Sequence, residues 1–425
     1  MRGEKWGLKE LALQDSTTSH LSLLKGGVQM KKQLLFVAQY LHTGGIERSL
    51  LTLLEDIDTE KYEIDLLLFD YSGALFPLIP KKIHLLPPLF ETFSVPLLQA
   101  APILIKRRKF RILAGKIGAA ALGKLSSGVG TEKRWLIYRH TLKNQEKQYD
   151  AAIGYMDFFC NYYVIEKVKA RKKIVYNHMD YLYSQSQGWP SPRLDRKTFL
   201  KSNAVVTVAE TSKQSLLDIF PELNEKIHVI ANRVSPVTIR KLADEKNTLF
   251  AENEAVLHIV TVARLTEEKG VLLALEACKL LVEQGYPVKW YIVGNGPLRE
   301  QLQEKMKKLA LGKHFILAGE KENPYPYMKG SDIYVQPSLT EAHCVAVEEA
   351  LALSCSIVVT NIPSFKKQIE DGKNGVIADT SAAGIAQGII KVLTSFTKKS
   401  SSQNCLFEKR NRDELAKFYQ LIEKG

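Results

Sequence analysis

The chain has 425 residues, 45% hydrophobic and 25% charged, with a net charge of +13, the composition of a globular protein long enough for two or three domains with real cores. Its five cysteines, Cys160, Cys278, Cys344, Cys355 and Cys405, are odd in number, scattered and without a C-x-x-C pair. That pattern excludes a disulfide scaffold and a structural zinc site and points to reduced thiols in the cytoplasm.

Residues 1–29 carry Glu4, Lys9, Glu10 and Asp15 among their apolar positions, a poor signal peptide. Lys25-Gly26-Gly27 can be encoded as a ribosome-binding sequence just before Met30. Translation is therefore expected to begin at Met30, with 1–29 outside the fold. The run 31–41 (KKQLLFVAQYL) predicts a buried strand. Gly44-Gly45 then makes a turn, and helical spacing follows over 46–54, the opening of a βαβ unit. Further strands are predicted at 62–70, 150–154, 173–176, 204–208 and 227–234, with helices between.

The region 97–125 stands apart. The apolar run 95–105 is too short to cross a bilayer and ends in Lys106-Arg107-Arg108-Lys109. Between 100 and 147, twelve Lys and Arg face only Glu132 and Glu146. Such a charge run is often only a solvated face. Interleaved with Leu97, Leu98, Ile103, Leu104, Ile105, Phe110, Ile112, Leu113, Ile117 and Leu122, it predicts a basic amphipathic segment on an anionic membrane surface, around Lys106, Arg107, Arg108, Lys109 and Arg111. No nucleic-acid partner is expected.

A charged, unpatterned linker is expected over 238–254. A second alternation follows, with strands at 257–265, 289–297, 314–319, 332–338, 356–361 and 375–379 and helices at 271–285, 298–311, 325–331 and 348–354. Strands separated by helices, without hairpin signals, predict an α/β architecture of parallel doubly wound sheets, hence two tandem Rossmann-like domains, 30–237 and 238–400. A charged helix ends the chain, and 401–425 is expected to return to the N-terminal domain.

Three groups of residues carry chemistry. Glu341 follows a strand, and Glu349 lies eight residues later on a helix. Strand carboxyl ends are where open α/β sheets bind ligands, carboxylates there accept from hydroxyl groups, and the N–H groups of a following helix face phosphate. Glu348 neighbours Glu349, and one of the two is expected to face inward. Arg264 and Lys269 flank the turn after another strand, where both can reach one diphosphate or simply stay solvated. Gly44-Gly45 allows close backbone approach or only a turn. Asp56-Ile57-Asp58 is a D-x-D at a helix end, expected to be surface loop, so no metal is implied. No cofactor is implied either.

In this order the pieces resemble the family-four retaining glycosyltransferases of GT-B fold, over about 31–395. The run Asn323-Pro324-Tyr325-Pro326-Tyr327-Met328-Lys329, then Ser331-Asp332-Ile333-Tyr334-Val335-Gln336-Pro337-Ser338, is similar to the capsular and surface polysaccharide branch, and Asp371-Gly372-Lys373-Asn374-Gly375 matches the family's D-G-x-N-G turn. The resemblance implies parallel sheets facing across a cleft, and a nucleotide diphosphate-sugar donor, UDP-sugar by default. It also implies a saccharide or lipid-linked acceptor at the inner face of the plasma membrane. Arg264 and Lys269 would hold the diphosphate, Glu341 the donor sugar and Glu349 the ribose, with His343, Cys344 and Val345 lining the donor site. His178, in Tyr176-Asn177-His178-Met179-Asp180, would point at the donor sugar, and Gly44 and Gly45 would form a glycine loop. The family commonly has E-G-F-G where this chain has Glu341-Ala342-His343-Cys344, so strain is expected where positive φ is needed. A catalytically silent scaffold, a nucleotide-sugar epimerase and a two-carboxylate hydrolase are the alternatives; two glutamates eight apart are poorly placed to flank one glycosidic bond.

Overall fold

The computed structural model describes residues 31–42, 44–122, 127–250, 255–395 and 403–423; the expected start at Met30 and the 1–29 extension lie outside them. Two parallel sheets organise these residues. The first has the strands β1 (Lys32–Ala38), β2 (Tyr62–Leu68), β3 (His84–Leu86), β4 (Gln148–Gly154), β5 (Lys169–Asn177), β6 (Ala204–Thr207) and β7 (Ile227–Val229), in the order β3-β2-β1-β4-β5-β6-β7. The second has β8 (Leu257–Val262), β9 (Val288–Val293), β10 (Phe315–Gly319), β11 (Ile333–Gln336), β12 (Ile357–Thr360) and β13 (Val376–Ala378), in the order β10-β9-β8-β11-β12-β13. Each sheet is Rossmann-like, and the pair is the GT-B architecture that the resemblance implies. The order reverses beside the first strand of each sheet, between β1 and β4 and between β8 and β11. Crevices open outside the strand carboxyl ends at such switch points.

The central strands are apolar in continuous runs because helices cover both faces. In β1 the last five residues are all buried, as are all four of β11. Trp290 of β9 is fully buried, and its indole donates to Thr261 Oγ1 at 3.0 Å, so its one polar atom is satisfied. The helix Gln403–Glu423 packs on the first sheet. Phe418 and Ile422 join its core, the Phe418 ring lies 6.0 Å from Phe36, and Glu414 accepts the Ala231 N–H at 2.8 Å.

The expected linker over 238–254 is wrong at its start, where Pro236–Ala243 is a helix. Ser235 caps it by accepting the Thr238 N–H, and Pro236 fills the first turn, where a missing N–H costs nothing. The short strand β3 escapes sequence patterning because three residues show no period.

The basic region forms the helices Leu97–Lys106, Phe110–Leu122 and Ser127–Thr141. Leu98, Ile105 and Phe110 are exposed, at 89, 54 and 60%, whereas Leu104 is buried. Not all of the charge is free. Arg107 and Lys109 both pair with Glu91 at 3.0 Å, and Arg111 donates to the His140 carbonyl. Lys116 is buried, donating to the Thr92 and Phe93 carbonyls, and burial lowers its pKa. It is a structural cation rather than part of a charged face. Lys106 and Arg108 are exposed. Among the described residues no helix is long and apolar enough to cross a membrane.

Candidate functional site

The expected site residues follow strand carboxyl ends, most of them at the two switch points. Gly44 and Gly45 follow β1 and His178 follows β5, while Arg264 follows β8 and Glu341 follows β11. The halves touch here. A Cβ on Gly45 would lie 2.9 Å from Cβ of Val345, the first residue of the helix Val345–Ala352. Gly44 is extended (φ −72°), so this turn uses glycine for close approach rather than for a left-handed backbone.

In the C-terminal half, Lys269 Nζ donates to Glu341 Oε1 at 2.6 Å, and the Ser338 hydroxyl donates to the same oxygen at 2.8 Å. Both side chains are largely covered, 19 and 9% exposed. Burial works against the Lys269 charge, but the neighbouring Glu341 carboxylate holds its pKa above the ordinary lysine value. Arg264 is different. Its side chain is 70% exposed, 3.7 Å from Glu268, and within electrostatic reach of Glu47 from the other half. Of the two expected cleft cations, one is open and the other is already committed to Glu341. The turn between them rests on Gly270, whose φ is +64° and whose Cβ would lie 1.8 Å from the Pro337 carbonyl oxygen.

Both Glu348 and Glu349 face inward, at 1 and 2% exposure, contrary to the expectation that only one does. Each has its own partners. Glu348 accepts from Gln368 Nε2 at 2.9 Å and lies 3.6 Å from His343 Nε2. Glu349 accepts from Arg48 Nη1 at 3.0 Å on both oxygens and from the Tyr325 hydroxyl at 2.8 Å. Gln368 also exchanges two hydrogen bonds with the Cys344 backbone, fixing the start of the helix.

The expected strain in Glu341-Ala342-His343-Cys344 is absent. Cys344 has φ −88°, and Ala342 has no positive φ, so this loop follows a path open to any residue. Cys344 is buried, and burial raises its thiol pKa, so it is inert packing.

His178 is buried between the Tyr155 and Tyr176 rings. Its Nε2 bonds the Tyr155 carbonyl at 2.7 Å and so carries the proton, leaving Nδ1 an acceptor with no partner among the described residues. Burial lowers its pKa to about 4, so the ring is neutral at pH 7. In the helix after the glycine loop Glu47 is buried, and burial raises its carboxyl to about 7. Asp56 pairs with Arg233 at 2.5 Å and Asp58 Oδ1 accepts the Glu60 N–H, so the D-x-D carboxylates serve the local fold.

Arg48, Tyr325 and Gln368 escape sequence reasoning. Arg48 and Glu349 are 301 residues apart, and nothing local marks either as the other's partner. A cavity of about 890 Å³ lies away from the cleft, lined by Lys32, Arg171, Lys172, Lys213 and Lys417 among others. No motif reaches it, so the site is argued from the switch points.

The chain is similar to solved structures over nearly its whole length. Staphylococcus aureus TarM, in a complex that holds UDP, superposes with a TM-score of 0.63 at 14% identity, covering 92% of this chain and all of that one; this likeness shows the fold. The amylovoran biosynthesis glycosyltransferase AmsK of Erwinia amylovora is 34% identical over 145 residues, 32% of this chain and 35% of the relative. A Campylobacter jejuni N-acetylgalactosaminyltransferase, named for a diphospho-undecaprenol-linked acceptor, is 25% identical over 169 residues, 40% of this chain and 44% of the relative. In three further curated relatives the matched stretch spans 40 to 58% of the relative's length. Arg264, Lys269, Glu341 and Glu349 all fall in residues 243–404, the part of the chain that matches the family of glycosyl transferases group 1.

Proposed function

We propose that the chain is a retaining glycosyltransferase that moves a hexose from a nucleotide diphosphate-sugar, UDP-sugar by default, to a saccharide or lipid-linked acceptor in surface polysaccharide biosynthesis. The observation that carries it is the convergence of Arg264, Lys269 and Glu341 on the β8–β11 switch point, beside the contact of Gly45 with Val345. The exposed Arg264 guanidinium neutralises the donor diphosphate as charge develops on the leaving group. Lys269 adds its charge from behind while holding Glu341. Both contacts to Glu341 use Oε1, which leaves Oε2 to accept from a donor-sugar hydroxyl. Glu349 serves the ribose; Cys344, His343 and Val345 shape the wall. The acceptor attacks on the face from which the diphosphate departs, through an oxocarbenium-like transition state, and the protein's part is positioning and charge. The names of the Erwinia and Campylobacter relatives support the polysaccharide and lipid-linked acceptors, and the TarM complex supports UDP.

Incubation with UDP-, GDP- and dTDP-sugars is expected to release nucleoside diphosphate from one of them. No release from any, with or without acceptor, favours a silent scaffold. Excess EDTA is expected to leave the rate within about a factor of two, because side-chain cations neutralise the diphosphate. Loss on chelation, restored by manganese, contradicts this.

The same reading puts the protein on the inner face of the plasma membrane, through the exposed Leu98, Ile105 and Phe110 beside Lys106, Arg107, Arg108, Lys109 and Arg111. Each cation near an anionic surface contributes about 1 kcal/mol. Vesicles with anionic lipid are expected to bind the protein, with salt weakening the binding, and zwitterionic vesicles are not. A variant with all five cations changed to Gln is expected to be released from vesicles but to keep transfer to a soluble acceptor. Unchanged vesicle binding by that variant makes the patch a solvated face.

A further inference from the structure

The carboxylate assigned to the ribose is already occupied, and by the other half of the protein. Arg48 lies in the helix Gly45–Asp56 of the N-terminal half, directly after the glycine loop. It reaches across to Glu349 in the helix Val345–Ala352, with Nη1 3.0 Å from both carboxylate oxygens. Tyr325 donates to Oε1 at 2.8 Å, and its ring packs against the guanidinium at 5.1 Å. Of the roughly four acceptor positions of a carboxylate, three are filled. Glu349 is 2% exposed, so a hydroxyl group from outside cannot approach the remaining position while the halves are joined in this way.

We propose that the Arg48–Glu349 pair is an interdomain latch that joins the two halves beside the cleft and must release Glu349 before the donor's ribose can bind. This rests on the donor-site reading above. The pair is built to be exchanged. Arg48 engages Glu349 through a single nitrogen rather than a two-nitrogen fork, and its buried Nε has no partner among the described residues. An ion pair left partly unsatisfied in a dry site gives up less on release than a fully bonded one. The ribose hydroxyls replace the guanidinium on the same carboxylate, and Arg48, now in the opened cleft, returns to water. The contact of Gly45 with Val345 holds the two helices close enough for the pair to form. Arg48 is thus a positioning residue that acts on the donor through Glu349.

The test combines small-angle scattering with calorimetric binding of UDP and of 2′,3′-dideoxy-UDP, which lacks the ribose hydroxyls. Ligand-free Arg48→Gln is expected to show a larger radius of gyration than wild type. It should bind UDP about tenfold tighter, since binding no longer has to break the latch, and its affinity for the dideoxy analogue should stay within about twofold. Arg48→Lys restores a cation and should return both readouts toward wild type. Tyr325→Phe removes one bond and should shift them the same way as Arg48→Gln, but less. A compact Arg48→Gln protein that binds UDP no tighter than wild type overturns the latch. So does Arg48→Gln that melts without a cooperative transition while Tyr325→Phe stays folded and unchanged in both readouts. Wild-type protein that binds UDP and the dideoxy analogue equally overturns the latch while leaving the donor site standing. Failure of wild type and all variants to bind UDP, GDP or dTDP removes the donor site itself, and the latch with it.

Discussion

A Lys269→Ala variant is expected to lose about a thousandfold in turnover, the upper end of what one preorganised charge contributes to a transition state. Arg264→Ala should lose about a hundredfold. The two should part company in stability. Arg264 is 70% exposed, and its loss should change stability by no more than about 0.5 kcal/mol. Lys269 and Glu341 are 19 and 9% exposed, so deleting the lysine strands a covered carboxylate, at a cost of about 3 kcal/mol. Lys269→Ala with Glu341→Gln should melt higher than Lys269→Ala alone, because the second change removes the orphaned charge. Nucleoside diphosphate release and thermal melting read both effects. Wild-type turnover in Lys269→Ala, or unfolding of Arg264→Ala, sinks the assignment of charge roles.

Gly270→Ala is expected to cost about 3 kcal/mol or more, because left-handed strain and a backbone clash add together. The strain comes from its φ of +64°, and the clash from a Cβ 1.8 Å from the Pro337 carbonyl oxygen. Neither partner can swing aside, as a flexible side chain would. For a domain of 150–250 residues, that lowers the midpoint by roughly 10 °C. Activity should fall further than stability alone explains, since Gly270 follows Lys269 and Pro337-Ser338 leads to Glu341. Gly285 provides the control. Its φ is +83° with nothing within 4 Å, so Gly285→Ala keeps the strain without the clash and should cost only about 1 kcal/mol. Equal melting points for the two variants would remove the clash from the explanation.

Much of the fold was legible because it rests on local rules. Apolar runs such as LLFVA in β1 and WYIV in β9 are long and unbroken because parallel strands are covered on both faces. Strand–turn–helix alternation implied the doubly wound sheets, and the positions of Arg264, Glu341 and Gly44 after strands put them at strand carboxyl ends. Ser235-Pro236 carried a helix start just before the expected linker, and the capping signal was there to be used. Charge counting went less far. Lys116 belongs to the same basic run as Lys109, yet one is buried against carbonyls and the other pairs with Glu91. Composition counts charges but does not say which way each side chain points.

What only the tertiary structure decided concerns partners distant in sequence. The E-A-H-C loop is unstrained because its backbone takes ordinary φ values where glycine was expected to be needed. Glu348 and Glu349 are both buried because Gln368 supplies a donor for one and Arg48 and Tyr325 for the other. A buried carboxylate is tolerable only with such partners, and no local pattern names a partner 301 residues away. The sequence by itself therefore determined the elements, the sheet class and the strand ends at which chemistry gathers. Tertiary packing alone decided which charges are free and which are spent on one another, because the cost of burying a charge depends on the groups that surround it in space.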